Sequence, residues 1–300
     1  MARHTRGAMS VTEHIDECLL RNDFDTLGQM LAKLGLDYAE TSRETVLHRA
    51  TRRHNDKAVD FLLGLGADIN ARNSSGFTPV AIAVENASEE MLEFLLSKKA
   101  DPNISDWKGL TPLMKAAEAG EAGLIAALVT HGADLNTKDP DGRTALMLAA
   151  QKGQAMIVGA LAGHGASLTA TDNEGNTVMH YAVGCQDNGV MLQFLAEKSR
   201  LLNLGNNAGE TPVIIAVKRH QPENLQTLMD LGADAAIADK SGMDAVAHGR
   251  ALKRVKFRTA MKEIMESDAE TARREMRRGS AEKITIRKPL KLKKTASFMS

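Results

Sequence analysis

The chain has 300 residues, of which 43% are hydrophobic, 25% are charged and only 3% are aromatic, and its formal net charge is zero. A thick globular core normally uses Phe, Tyr and Trp for bulk, so this composition predicts thin layers of closely packed helices. Cys18 and Cys185 form no CxxC pair, and no run approaches the roughly 18 apolar residues of a membrane span, which argues against a disulfide framework, a zinc site and a transmembrane protein.

The zero net charge conceals two oppositely charged regions. Residues 250–300 contain 16 Lys and Arg against 6 Asp and Glu, a net charge of +10. Residues 1–249 contain 22 basic and 32 acidic side chains, a net charge of −10. The sequence therefore predicts an acidic body followed by a basic C-terminal segment.

The N-terminal region begins without a recognisable targeting signal. Residues 1–11 have no apolar stretch and are predicted to be flexible, and the absence of such a stretch predicts a cytoplasmic protein. From residue 12, apolar residues recur at helical spacing, but the turn signature of the later units is missing. We interpret residues 12–42 as an N-terminal capping unit.

A repeating unit then dominates the chain. Threonine followed by small or apolar residues recurs at steps of 33, 33, 33, 33 and 34 residues, and a glycine precedes each Thr after the first by two positions. These threonines are Thr45, Thr78, Thr111, Thr144, Thr177 and Thr211. The phase predicts repeats that start near residues 43, 74, 107, 140, 173 and 207.

Each unit is predicted to hold two helices and a tight turn. In the third unit, Thr111-Pro112 opens a helix that ends at Gly120, because Pro is tolerated at the first helical position and Gly favours the C-terminus. A second helix covers residues 122–129, and Asp139-Pro140-Asp141-Gly142 forms a turn. One unit buries too little apolar surface to fold alone, so the units must stack.

The last unit is atypical. Residues 240–266 keep Gly242 but replace the motif threonine with Asp244, and their second helix is rich in Lys and Arg. We interpret this segment as a C-terminal capping unit with a polar outer face. Residues 267–300 lack the repeat and are predicted to be a basic, largely disordered tail.

The units with the recurring threonine and glycine resemble the ankyrin repeat, whose 33-residue unit carries a T-P-L-H-x-A signature. The resemblance covers residues 12–265. The resemblance implies an all-α solenoid of stacked helix-turn-helix units, residues 12–266, with short β-hairpin-like loops. It also implies structural hydrogen bonds for the motif histidines, His48 and His180. Four units replace that histidine, and the fifth unit carries one extra residue between 184 and 189.

No catalytic motif accompanies the repeat. The nine histidines form no HExxH spacing, no GxGxxG or GxxxxGK[ST] loop is present, and no nucleophile has an accompanying base. We expect the protein to be non-enzymatic and to use no cofactor and no metal.

The resemblance also implies a recognition surface. Loop tips and first helices of ankyrin stacks line a concave face that usually binds partners. On this chain the expected partner-binding residues are Phe77, Trp107, Lys108, Leu110, Glu118, Arg143 and Gln151. Two interpretations of Trp107 stay open at this point: an exposed anchor for a partner, or a side chain that folds back and packs on its own loop.

The basic tail is a second candidate for binding. It contains Arg277, Arg278, Arg287, Lys288, Lys291, Lys293 and Lys294, and Ser280 and Ser297 follow basic residues as candidate phosphorylation sites. Four interpretations compete: a solvated disordered end, a contact with the acidic body, a nuclear-import or anionic-surface patch, and a segment regulated by a kinase.

The leading hypothesis is a monomeric scaffold or adaptor that binds one or more proteins. An alternative is a tail-driven binder of anionic membrane or nucleic acid. A third is a bacterial effector that acts on host proteins, in which case the compartment is the host-cell cytosol rather than the cytoplasm or nucleus of the producing cell.

Overall fold

A computed structural model describes residues 10–39, 43–185 and 189–251. Within these residues the chain forms 15 α-helices and no β-strand. The helices are α1 (Val11–Arg21), α2 (Phe24–Leu34), α3 (Val46–Arg52), α4 (Asp56–Gly64), α5 (Pro79–Glu85), α6 (Glu89–Ser97), α7 (Pro112–Ala119), α8 (Ala122–Thr130), α9 (Ala145–Gln151), α10 (Ala155–Gly163), α11 (Val178–Val183), α12 (Gly189–Lys198), α13 (Pro212–Lys218), α14 (Pro222–Asp230) and α15 (Ala245–Ala251).

The helices stack in two rows. From α3 onward, each odd-numbered helix is the first of a unit and contacts the first helix of the next unit, up to α15. The second helices contact one another in the same order from α6 to α14. This arrangement confirms the predicted all-α repeat solenoid. The boundaries of the two capping units remain predictions, because the structure describes only α1 and α2 at one end and the chain as far as residue 251 at the other.

Threonine hydroxyls start the first helices. The side chains of Thr78, Thr111, Thr144 and Thr211 each accept a hydrogen bond from the backbone N–H three residues later. This bond satisfies one of the N–H groups that a helix leaves unpaired at its first turn. The recurring threonine thus sets where the first helix of the unit begins.

Small side chains let neighbouring units approach closely. In α9 every residue from Ala145 to Ala150 is buried, with Ala149 and Ala150 fully inaccessible. Aromatic bulk is used at the N-terminal end, where the rings of Phe24 and Phe61 stack with centroids 5.0 Å apart and join α2 to α4. The low aromatic content of the chain follows from this close packing of Ala, Leu and Ile.

A five-residue loop tip precedes each first helix from α5 onward, and the tips form a row. The tips are residues 73–77, 106–110, 139–143, 172–176, 206–210 and 239–243. In four places the N–H of the second tip residue donates to the carbonyl of the third residue of the preceding tip. These donor–acceptor pairs are Trp107 to Ser75 (3.3 Å), Asn173 to Asp141 (3.0 Å), Asn207 to Glu174 (2.8 Å) and Lys240 to Ala208 (2.9 Å). The 139–143 tip departs from the pattern, because its second residue is Pro140, which has no N–H. The ring of Pro140 packs against Gly109 instead.

The tips need glycine because the next tip lies against them. Gly142 has φ of 82°, and a Cβ added there would lie 2.7 Å from the backbone nitrogen of Asn173. Gly132, at the end of α8, has a similar φ of 88°, but a Cβ there would meet nothing within 4 Å. Gly142 is therefore required both by its positive φ and by the close approach of the next tip, and Gly132 by its positive φ alone.

No helix in the described part of the chain is long and apolar enough to cross a membrane. Three parts of the predicted organisation lie outside the described residues. They are residues 186–188, in the stretch that holds the extra residue of the fifth unit, the capping segment beyond residue 251, and the whole basic tail.

The two glycines give a paired stability prediction. Gly132→Ala is expected to lower the free energy of unfolding by about 1–2 kcal/mol, the cost of a left-handed residue with a Cβ. Gly142→Ala is expected to cost roughly 1–2 kcal/mol more, because it also displaces the tip that bonds Asn173 to Asp141. Urea unfolding followed by circular dichroism measures both, and equal losses would contradict the close approach.

Candidate functional site

One Asp or Asn shapes each loop tip. It occupies the first tip position, and its Oδ1 accepts hydrogen bonds from the backbone N–H groups two and four residues later. In the 106–110 tip, Asp106 Oδ1 lies 2.9 Å from the nitrogen of Lys108 and 3.0 Å from that of Leu110. The same pair of bonds is made by Asn73, Asp139, Asp172, Asn206 and Asp239. Each tip is therefore held in one conformation by its own side chain.

Where this residue is Asp, a Lys, Arg, Tyr or His side chain donates to its second oxygen. Buried carboxylate oxygens are costly without a partner, and Asp106, Asp139 and Asp172 are all buried. The donors to Oδ2 include Lys115 Nζ on Asp106 (3.0 Å), Arg143 Nε on Asp139 (2.8 Å), Tyr181 Oη on Asp172 (2.6 Å) and His248 Nε2 on Asp239 (2.7 Å). Asn176 Nδ2 also donates to Asp172 Oδ2, at 3.0 Å.

The donor matches the tip residue in every tip but one, since Asp139 is bound by Arg143 of its own tip and has the buried Leu148 nine residues later. Lys115, Tyr181 and His248 each lie nine residues after the Asp that they bind. Where the tip begins with Asn, the residue nine positions later is an isoleucine, Ile82 or Ile215, and both are buried. A neutral amide needs no charged donor, so an apolar residue fits on the first helix.

The hydrogen bond between Asp172 and Tyr181 shifts the pKa of both side chains. Burial and the bond to Asp172 raise the pKa of Tyr181 above its ordinary value. Burial alone raises the pKa of Asp172, but the bonds from Tyr181 and Asn176 outweigh it and leave the pKa below its ordinary value. Both groups therefore keep their neutral-pH forms, a phenol that donates and a carboxylate that accepts.

Trp107 is exposed at the tip of the third unit. Its side chain is 61% accessible, although one part of the indole lies against Gly76 of the preceding tip, where an added Cβ would come within 2.9 Å of the ring. The guanidinium carbon of Arg72 lies 3.8 Å from the ring centroid. Such cation–π contacts contribute about 0.5–1 kcal/mol at exposed sites. The residue is thus both exposed and held in place.

Phe77 is half-buried beside this tip. Lys115 Nζ lies 4.1 Å from the centroid of its ring, and the same ammonium group is 3.7 Å from Glu85 Oε1. The carbonyl of Phe77 accepts a hydrogen bond of 2.9 Å from His48 Nε2. Lys115 therefore links Phe77 to Asp106, the residue that shapes the tip of Trp107.

The other predicted binding residues differ in exposure and in their distance along the stack from Trp107. Leu110 is half-buried and packs against the hydrophobic core, while Lys108 is exposed. Glu118 is partly accessible and lies 3.9 Å from Lys152 Nζ. Arg143 is committed to Asp139 and Asp141, and Gln151 is exposed on the wall of a shallow pocket of about 190 Å³ that Tyr181 and Arg219 also line. The structure places Phe77, Trp107 and Lys108 on two adjacent tips and Gln151 further along the stack.

The motif histidines make the structural bonds that the sequence implied. Both are buried. His48 Nδ1 accepts from the backbone N–H of Thr45 at 3.2 Å, and His180 does the same from Thr177 at 3.1 Å. Each Nε2 donates to a carbonyl of the next tip, that of Phe77 (2.9 Å) or Glu210 (3.0 Å). Burial lowers the pKa of both imidazoles.

The basic tail and the candidate phosphorylation sites Ser280 and Ser297 lie outside the described residues. Among the residues that the structure covers, no three His, Cys, Asp or Glu side chains are grouped to hold a metal ion.

Sequence reasoning missed the residues that position the candidate site. Arg72 and Lys115 act across repeat boundaries, and neither belongs to the motif. The tip residues Asn73 and Asp106 did carry a signal, since Asp or Asn recurs five positions before each motif threonine from Thr78 onward and before Asp244.

Comparison with known proteins supports the repeat. A family model for ankyrin repeats (3 copies) matches residues 17–106, 105–172 and 157–239. No curated protein gives a significant match to the chain.

The matching of tip residue and donor predicts a rescue. Lys115→Ile leaves the second oxygen of buried Asp106 without its cation and is expected to lower the free energy of unfolding by about 1–3 kcal/mol. Adding Asp106→Asn recreates the pairing of Asn206 with Ile215 and should recover most of that loss. A double-mutant cycle by urea unfolding measures the coupling, and additive losses would contradict it.

The two buried histidines predict acid sensitivity. Because burial lowers their pKa below the ordinary 6.5, the unfolded chain binds more protons below that pH. Their contribution is complete above about pH 6.5 and is lost as the pH falls, by up to about 1.4 kcal/mol per pH unit for each histidine. The parent and the double variant His48→Met/His180→Met, compared by urea unfolding from pH 8 to pH 5, isolate this effect. A parallel pH dependence in the two proteins would refute it.

Proposed function

Because the chain belongs to the ankyrin-repeat family, we propose that it is a non-enzymatic scaffold or adaptor that binds a partner protein on its concave face. Ankyrin repeats generally serve as protein–protein interaction modules, and the family is typically non-enzymatic. The proposed contact residues are those expected from the sequence: Phe77, Trp107, Lys108, Leu110, Glu118, Arg143 and Gln151.

The observation that carries this proposal is the exposure of Trp107. The only Trp of the chain is 61% accessible at a loop tip. Exposing an indole to water gives up the free energy of burying a large apolar surface, and binding hot spots are enriched in Trp. A partner that covers this side chain recovers that free energy.

The surroundings of Trp107 suit a hot spot. Phe77 and Leu110, both half-buried on the same two tips, add apolar surface, and the exposed Lys108 adds a polar group. Interfaces commonly combine an apolar centre with a polar rim. Because the indole already contacts Gly76 and Arg72, a partner orders few additional side chains when it binds.

The packing interpretation of Trp107 accounts for part of its contacts. The contacts with Gly76 and Arg72 hold the ring on the preceding tip. They cover the smaller share of its surface, which leaves the larger share for a partner. The two interpretations differ in what removal of the indole changes: binding in one, stability in the other.

The test is a quantitative proteomic capture with the full chain as bait. Trp107→Ala is expected to lose a partner, because truncating a hot-spot Trp typically costs ~2 kcal/mol or more, about thirtyfold in affinity. Met156→Ala is the matched control, since Met156 is 73% exposed near the start of the second helix α10. Unchanged capture by Trp107→Ala would contradict the proposal.

Two further measurements separate the rival explanations. Thermal unfolding followed by circular dichroism should show Trp107→Ala nearly as stable as the parent; a loss of ~3–5 kcal/mol, as for a core aromatic, would assign the residue to packing. A full chain with the tail cations Arg287, Lys288, Lys291, Lys293 and Lys294 changed to Gln tests the tail. Loss of capture with that bait alone, together with strong salt dependence, would favour an anionic partner of the tail.

A further inference from the structure

Arg72 joins two neighbouring loop tips. Its Nε donates to the carbonyl of Gly76 at 3.3 Å, and its Nη2 donates to the carbonyl of Ser105 in the next unit. Its guanidinium carbon lies 3.8 Å from the centroid of the Trp107 ring. One side chain therefore contacts the tip before Trp107, the loop that leads to Trp107, and the indole itself.

From these contacts we propose that Arg72 is a positioning residue for the partner-binding surface, which fixes the indole of Trp107 in its exposed orientation before a partner arrives. This inference rests on the proposed function for its purpose, but the positioning itself is a property of the free protein. The planar guanidinium is suited to the role, because it stacks on an aromatic ring while its edge donates hydrogen bonds.

The repeat supplies an internal comparison at the same position. Lys138, two units after Arg72 in phase, makes the same kind of bridge, with its Nζ 2.6 Å from the carbonyl of Thr171 in the following unit. The tip beyond Lys138 carries Asn173 where the tip beyond Arg72 carries Trp107. Arg72 and Lys138 thus each bridge two loops, and Arg72 in addition stacks on an indole.

Rigidity at this position matters for an exposed aromatic residue. A free side chain on the surface changes rotamer within picoseconds to nanoseconds, and a partner must stop that motion when it binds. The ring of Trp107 lies against Gly76 of the preceding tip and under Arg72, the residue just before that tip, so its motion is restricted before binding. Removing the guanidinium returns that freedom to the indole.

Trp107 is the only Trp in the chain, so its fluorescence reports its own motion without any label. We expect time-resolved anisotropy of the full chain to show little subnanosecond motion of the indole, and Arg72→Met to increase the amplitude of that motion roughly twofold or more. The slow phase, which reports tumbling of the whole protein, should stay unchanged.

Two further variants separate stacking from bridging. Lys138→Met removes a bridge of the same kind between two other loops and is expected to leave the anisotropy decay unchanged. Arg72→Lys keeps a cation that can reach the Ser105 carbonyl but lacks the planar group, and is expected to leave the indole mobile. Full restoration of the parent decay by Arg72→Lys would overturn the stacking role, as would an unchanged decay in Arg72→Met.

The binding consequence is measured with the partner whose capture depends on Trp107. Arg72→Met is expected to weaken its binding about two- to tenfold, mainly through faster dissociation, because one side chain must then be ordered on binding. If the anisotropy changes but Trp107→Ala captures every partner normally, the positioning stands and the proposed binding function fails. If Trp107→Ala loses the partner but Arg72→Met shows parent-like anisotropy, the binding function stands and the positioning fails.

Discussion

A single oxygen atom sets the shape of each loop tip: the Oδ1 of the Asp or Asn at its first position, which accepts two backbone N–H groups. This bond pair brings the tip close to the N-cap threonine that starts the following helix. Where this residue is Asp, a donor also binds its second oxygen: a residue of the first helix at Asp106, Asp172 and Asp239, and Arg143 of the tip itself at Asp139. In three tips, residues nine apart in the chain therefore depend on each other.

The surface around Trp107 illustrates how the scaffold supports an exposed aromatic residue. Lys115 binds the carboxylate that shapes this tip and also covers the ring of Phe77. Arg72, the residue just before the preceding tip, lies over the indole. Lys115 is paired with carboxylates, and Arg72 donates to backbone carbonyls, so both cations hold the loops in place. The exposed indole at the centre of the site is apolar.

The sequence predicted the regular features well and the side-chain directions less completely. Repeating threonine and glycine gave the phase of the units, because each satisfies a local backbone requirement that recurs in every unit. The exposure of Trp107 was left open, because a motif specifies the position of a Cα atom but not the direction in which an indole turns. Leu110 was expected at the recognition surface, and the structure shows it half-buried against the core. The contact of Arg72 with Trp107 joins residues of different units, and no pattern within one unit encodes it.

Pro140 divides the row of loop tips into two sections. It occupies the position whose N–H, in the tips at 106–110, 172–176, 206–210 and 239–243, binds the preceding tip. The tips on either side of the proline are in van der Waals contact through its ring but lack the cooperative polarisation of a continuous hydrogen-bonded chain. The Trp107 tip is therefore aligned with the tip that follows it by the fit of a proline ring against a glycine, whereas backbone hydrogen bonds align it with the tip that precedes it. A substitution at Gly109 or Pro140 would act on the first of these two contacts and leave the second in place.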